Sequence, residues 1–158
     1  MRLDLDIQRV STALGQPVDR DFRQWVRTAL WGRRGRQALL LRLVDEDEIQ
    51  ALNRDFRGQD TPTNVLSFSF TAPPQFARHR LDESLGDILL CVPVVAREAA
   101  ERHIPPAAHW AHLVVHGVLH LLGYDHATPT EAAGMEGREI VILARLGLPD
   151  PYRESLDA

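Results

Sequence analysis

The eleven residues HGVLHLLGYDH, from His116 to His126, constrain this chain more than any other stretch of it. His116 and His120 stand four residues apart in an apolar run. On an α-helix, four residues turn about 400° and rise about 6 Å, so both imidazoles lie on one face, one turn apart. Gly123 follows three residues later, where a glycine with positive φ ends a helix sharply. The chain then folds back and brings His126 to the same point. Three neutral imidazoles leave a divalent cation its full charge and one open coordination position. Such an ion lowers the pKa of bound water to roughly 7, which makes a hydrolytic nucleophile available at neutral pH.

The spacing H-x3-H-x2-G-x2-H matches that of the metzincin proteases, H-E-x-x-H-x-x-G-x-x-H. Those enzymes need a glutamate after the first histidine as general base. Here that position is Gly117, so the metal ligands are retained without the protease base. His112 lies one turn before His116 on the same face, as a fourth ligand or as a neighbour that packs beside the site. Asp125 abuts the third ligand and either orients an imidazole or serves as a turn residue. His103 and His109 read as surface or core residues.

The rest of the chain supplies a frame for that helix. Leu3, Leu5 and Ile7 alternate with Asp4 and Asp6, the period of a half-buried strand. A helix follows, capped by Asp19 or Asp21, with Phe22, Trp25, Val26, Ala29 and Leu30 on one face. Residues 37–44 (QALLLRLV) read as a buried strand. Asp45 and Glu48 have the spacing of a capping box for a second helix, whose apolar face carries Ile49, Leu52 and Phe56. Val65, Leu66, Phe68 and Phe70 form a third strand, residues 71–83 a loop, and Leu85 to Val92 a fourth strand. Pro93 opens a helix to about His103, Pro105 and Pro106 open another to about Leu122, and a last one covers about 130–146, stopped by Gly147. The expected fold is α+β: a small four-stranded mixed sheet packed against helices, with a zincin-like metal helix. Strand order does not follow from these patterns.

Composition narrows the function. At 158 residues the chain is expected to form a single domain, and no run of about 18 apolar residues marks a membrane span. The N-terminus lacks the h-region of a secretory signal. The one cysteine, Cys91, allows neither an internal disulfide nor a cysteine-based zinc site, and fits a reducing compartment. The formal net charge is -4, which argues against nucleic-acid binding through bulk positive charge. All 18 basic residues are arginine. Arg33, Arg34 and Arg36 cluster in a turn beside Trp31, either a solvated loop or a small patch able to hold an RNA backbone and stack a base.

At this point HGVLHLLGYDH resembles the signature of the YbeY-type endoribonucleases, the bacterial rRNA maturation factors. Asn53 to Phe70 (NRDFRGQDTPTNVLSFSF), Leu85-Gly86-Asp87-Ile88, WAHLVVHG from Trp110 to Gly117, and GLPDPY from Gly147 to Tyr152 carry the resemblance over most of the chain. Phe56 stands where the family usually has Tyr, and Ser69 where Pro is common. Phe56 lacks the hydroxyl, so a catalytic hydrogen bond from that ring is not expected here.

The resemblance implies a zinc-dependent, single-strand-specific endoribonuclease. It places the family's Zn2+ ligands at His116, His120 and His126, and its functional arginine at Arg57. It implies action in small-subunit rRNA 3′ end processing and ribosome quality control in the cytoplasm. The implied partners are rRNA, ribosomal subunits, a ribosomal protein and an rRNA-associated GTPase, with neither DNA nor membrane. The residues themselves are compatible, since a metal and one arginine can stabilise the extra negative charge of phosphodiester hydrolysis. Arg57 reads as lying in a Gly- and Pro-containing loop, either reaching a cleft or solvated. Asp87, at the start of the fourth strand, either orients a ligand or a water, or closes a strand edge. Two other readings remain: a metalloprotease or amidase with its base elsewhere, and a non-catalytic ribosome-assembly factor with structural zinc.

Overall fold

Strong parallel pairing organises the molecule, seen in a computed structural model that describes residues 1–69 and 84–153. Strands β1 (Arg2–Arg9), β2 (Arg36–Val44), β3 (Val65–Ser69) and β4 (Ser84–Cys91) form one sheet in the order β1-β2-β4-β3. β1 and β4 both run parallel to β2, and β3 runs antiparallel to β4. The sheet is therefore mixed, as the two adjacent strands expected near 64–70 and 85–92 suggested. The expected loop 71–83 and Phe70 lie outside the described residues.

The helices are α1 (Asp19–Ala29), α2 (Glu46–Arg57), α3 (Val92–Glu101), α4 (Pro106–Leu121) and α5 (Pro129–Arg145). Burial follows strand parity. Leu39, Leu41, Leu43, Ile88 and Leu90 point into the larger core, which α1, α4 and α5 close with Phe22, Trp110, Val114, Val118 and Ile142. Leu66, Phe68, Leu89 and Cys91 point the other way, into a smaller core under Ile49 of α2. α4 is nearly surrounded, with ten buried residues in sixteen. That is why its pattern is apolar all round rather than amphipathic.

One glycine sets the spacing of the sheet and α4. Gly86 has φ +142°, and a Cβ there would lie 2.1 Å from the Phe68 carbonyl oxygen and 2.9 Å from Leu121 of α4. No side chain fits between β3, β4 and the end of α4 without displacing backbone.

Two expected caps are not made. Val18, not Asp19 or Asp21, is the N-cap of α1, and no side chain caps it. Asp19 instead pairs with Arg9 at 2.5 Å. Both aspartates sit in the first turn, where they complement the helix dipole. Asp45 does precede α2, but its side chain makes no cap bond. It accepts from the Ser11 hydroxyl at 2.6 Å, and Glu48 is held by Arg42 at 2.6 and 3.1 Å. Tertiary partners with better charge and geometry took both carboxylates.

The full capping box is at α5. Thr128 Oγ1 accepts from the Glu131 N–H, and Glu131 accepts from the Thr128 N–H, both at 3.1 Å. Thr128→Ala is expected to cost about 1 kcal/mol and to lower Tm by about 2–4 °C, read from a thermal melt.

Candidate metal centre

α4 delivers two imidazoles and its C-terminal turn delivers the third. Gly123 has φ +102°. The N–H groups of Gly123 and Tyr124 close on the carbonyls of His120 and Leu119, each at 3.0 Å. The helix stops there and the chain reverses. Asp125 accepts a hydrogen bond from the backbone N–H of His126 at 2.7 Å, so it braces the turn that carries the third ring. The ring centroids lie 4.7 Å apart for His116 and His120, 5.0 Å for His120 and His126, and 5.7 Å for His116 and His126.

One ring nitrogen from each of the three histidines lies within 4.8 Å of the others. Three imidazoles without thiolate or carboxylate suit zinc or a similar divalent transition ion. Burial, reinforced by the neighbouring His116 and His126 rings, pushes the pKa of His120 below its ordinary value. A ring that resists protonation keeps its lone pair for a metal.

Behind the triad stands a carboxylate that the sequence reading missed. Glu139 of α5 is fully buried. Its Oε2 lies 2.6 Å from His116 Nδ1, and its Oε1 lies 3.0 Å from His112 Nε2 and accepts from the Tyr152 hydroxyl. Burial alone would raise its pKa, but the bonds to His112, His116 and Tyr152 outweigh that and hold it at about 2. Ionised, Glu139 accepts the Nδ1 proton of His116, which turns the Nε2 lone pair of that ring toward the triad. Burial and the bond to Glu139 push the Tyr152 phenol well above its usual pKa, so it stays a donor. His112, Glu139 and His116 also lie within 4.8 Å of one another, but these atoms already satisfy each other. They form a support, and His112 faces away from the triad, into a separate cavity beside Tyr152.

A signal for Glu139 was present. Met135, Glu139, Ile142 and Leu143 share the buried stripe of α5, and a carboxylate at a core position of a helix needs a partner. The partner itself comes from tertiary structure. His109 is likewise buried and lies 2.8 Å from Glu98, and burial pushes its pKa down. It is a core residue. His103 is exposed in the turn after α3, with φ +55°.

The triad opens into a cleft of about 710 Å³ whose other wall is β3 and the end of α2. Arg57, expected in a loop, is instead the last residue of α2, because the left-handed Gly58 ends the helix one residue later than expected, and it lines that cleft. It donates to the Ser67 carbonyl at 3.0 Å and lies 5.4 Å over the Phe68 ring. Gly58, in the left-handed conformation, ends the helix there and leaves the guanidinium at the rim. Gly117 faces the sheet. A Cβ there would meet Ile88 Cγ2 at 2.9 Å and Ser67 Oγ at 3.2 Å, so the protease glutamate has no room. Asp87 is buried and pairs with Phe68 across β3 and β4. Strand alternation sets it with Leu89, on the α2 side of the sheet and away from the histidines.

The family model described as Endoribonuclease YbeY matches residues 9–147. The chain belongs to the YbeY endoribonuclease family. It is 55% identical to the Endoribonuclease YbeY of Alkalilimnicola ehrlichii, over 96% of this chain and 92% of that relative. It is 50% identical to the Endoribonuclease YbeY of Halorhodospira halophila, over 96% of this chain and 97% of that one. The solution structure of TM1509 from Thermotoga maritima superposes with a TM-score of 0.55 at 25% identity, covering 94% of this chain and 99% of that one. The α+β fold is thus shared with that structure. Within the YbeY frame, Phe56 packs edge-on against Phe68 with centroids 5.8 Å apart, so its ring lies in the stack beneath Arg57. Ser69 lines the cleft.

Proposed function

We propose that this chain is a metal-dependent endoribonuclease that cuts single-stranded RNA during ribosomal RNA maturation, with zinc held by His116, His120 and His126. The observation that carries the reading is the cleft itself: three imidazole nitrogens on one wall and the Arg57 guanidinium on the other. A bound divalent ion supplies Lewis acidity for attack on phosphorus.

The chain's own residues do the rest. Glu139 accepts the Nδ1 proton of His116 and so leaves the Nε2 lone pair free for the metal. Phe68 and the Ser67 carbonyl hold Arg57 from below and behind. A phosphate then receives two parallel N–H bonds, which are strongest as negative charge grows on its oxygens. The ribosomal subunits are the proposed source of substrate and the cytoplasm the proposed location. No helix among the described residues is long and apolar enough to cross a membrane.

The test compares metal-depleted, zinc-loaded and Arg57→Glu protein on single-stranded ribosomal RNA fragments. Cleavage is expected only in the loaded protein. Arg57→Glu is expected to lose about 10²–10³-fold in rate while binding zinc normally. Wild-type rates in Arg57→Glu would remove Arg57 from the site, and full cleavage without metal would overturn the reading. A loaded protein that binds ribosomal subunits yet never cuts RNA would favour a structural zinc.

A further inference from the structure

On the far side of α5 from Glu139, α5 meets the end of α1. Trp31, just past that end, is 49% exposed, while Trp25 and Trp110 are only 6% and 2% exposed. Arg145 lies 3.8 Å over the Trp31 ring and Arg138 lies 5.5 Å from its centroid. Arg138 also donates to the Trp31 carbonyl at 3.4 Å. Arg138, Val141 and Arg145 recur at i, i+3 and i+7, one stripe of α5, and Val141 is 47% exposed. The turn after Trp31 adds Arg33 and Arg34. Arg36, grouped with them in sequence, is drawn off into an ion pair with Asp4 across β1 and β2.

The exposed indole sets this patch apart, since Arg23, Arg27, Arg57 and Arg102 also lack a carboxylate partner among the described residues. The chain is acidic overall, and carboxylates pair with Arg2, Arg9, Arg36, Arg42, Arg54 and Arg97. Among the described residues, Arg33, Arg34, Arg138 and Arg145 have no carboxylate within ion-pair reach. Two of these guanidiniums lie over the exposed indole, and the other two follow it in the adjoining turn, where Arg33 donates through Nε to Gln37 at 2.8 Å. Guanidinium forks match phosphate oxygens, and an indole gives a base a stacking surface of any sequence. A folded acidic protein surface would use the charge but has less use for the ring.

We infer that Trp31, Arg33, Arg34, Arg138 and Arg145 form a second RNA contact outside the metal cleft, which holds a single-stranded segment by phosphate pairing and base stacking. This rests on the endoribonuclease reading only for the identity of the polymer.

The zinc-loaded protein is titrated with a single-stranded 2′-O-methyl RNA that stays intact, read by anisotropy and by acrylamide quenching of tryptophan. RNA is expected to shield Trp31, the solvent-exposed indole, from acrylamide. Trp31→Ala is expected to weaken binding about 10- to 100-fold, the contribution of one stacked base. The exposed pair Arg34→Gln and Arg145→Gln is expected to lower the slope of log affinity against log salt by about 1.4, at about 0.7 per phosphate contact. An unchanged slope with unshielded Trp31 overturns the proposal, as does poly-glutamate shielding Trp31 as well as RNA does. Cleavage by the wild-type protein is measured in parallel. If it cuts RNA while the patch variants bind normally, the patch fails alone; if it cuts none, the enzyme reading fails.

Discussion

His116→Ala is expected to empty the metal centre and to lower RNA cleavage by about 10²–10³-fold or more, and Glu139→Leu is expected to lower metal affinity by about 10–100-fold with all three histidines intact. The two losses share a cause. His116 touches Glu139 through Nδ1 at 2.6 Å and contributes its other nitrogen to the triad. Without the carboxylate, nothing fixes which nitrogen carries the proton or how the ring is turned. Leucine at 139 also takes the acceptor away from His112, which is mostly buried, and from Tyr152, which reaches the surface. A buried donor left without its acceptor costs about 1–3 kcal/mol, so a lower Tm should accompany the weaker zinc binding.

Glu139→Gln separates the two effects. It keeps the volume and one acceptor oxygen, so it should regain part of the stability and less of the metal affinity. The measurement is competition for zinc against a chromophoric chelator, with melts of the metal-free proteins. Wild-type affinity in Glu139→Leu would show that the carboxylate only fills space. The pH sign is defined: Glu139 falls from 4.5 to about 2 on folding. Its ionised form therefore stabilises the fold fully above pH 4.5, and that contribution shrinks as pH falls below 4.5 and is gone once pH has passed through about 2.

Gly117→Glu, which restores the metzincin signature in full, is expected to prevent folding rather than to create a peptidase. The α-carbon faces β3 and β4, with Ile88 Cγ2 2.9 Å from a Cβ and Ile88 Cδ1 at 3.2 Å. Glutamate would place a carboxylate between helix and sheet with no partner, and that combination of overlap and buried charge exceeds about 4 kcal/mol. Gly117→Ala gives the measurable companion. It should fold and retain zinc, with overpacking of about 1–3 kcal/mol partly offset by about 1 kcal/mol of helix propensity. Soluble Gly117→Glu with an unaltered melt would mean that α4 can lift from the sheet, and the protease reading would return.

The helix that carries His116 and His120 was legible because both constraints on it are local. Ring spacing is set by the helical repeat, and the stop at Gly123 by backbone sterics. The alternation of Leu3, Leu5 and Ile7 and the apolar run 37–44 gave β1 and β2 for the same reason. Capping at Asp45 was misread because a carboxylate beside a helix start has other suitors, and here Ser11, 34 residues away, won. Asp87 was placed near the strand start with its side undetermined, since a strand's two faces are told apart only by what packs on them.

What the chain's order of residues decided by itself is the spacing of the histidines, the turn that brings the third imidazole back, and the absence of a carboxylate at position 117. Only the folded molecule decided that Glu139 and Tyr152 stand behind His116, that Arg57 faces the triad across a cleft, and that two arginines of α5 lie over Trp31. The physical reason is range. Backbone periodicity acts over a few residues and leaves its mark in the local pattern. Buried hydrogen bonds and charge pairs join residues 23 or 107 positions apart, and their energy depends on a meeting that no local pattern encodes.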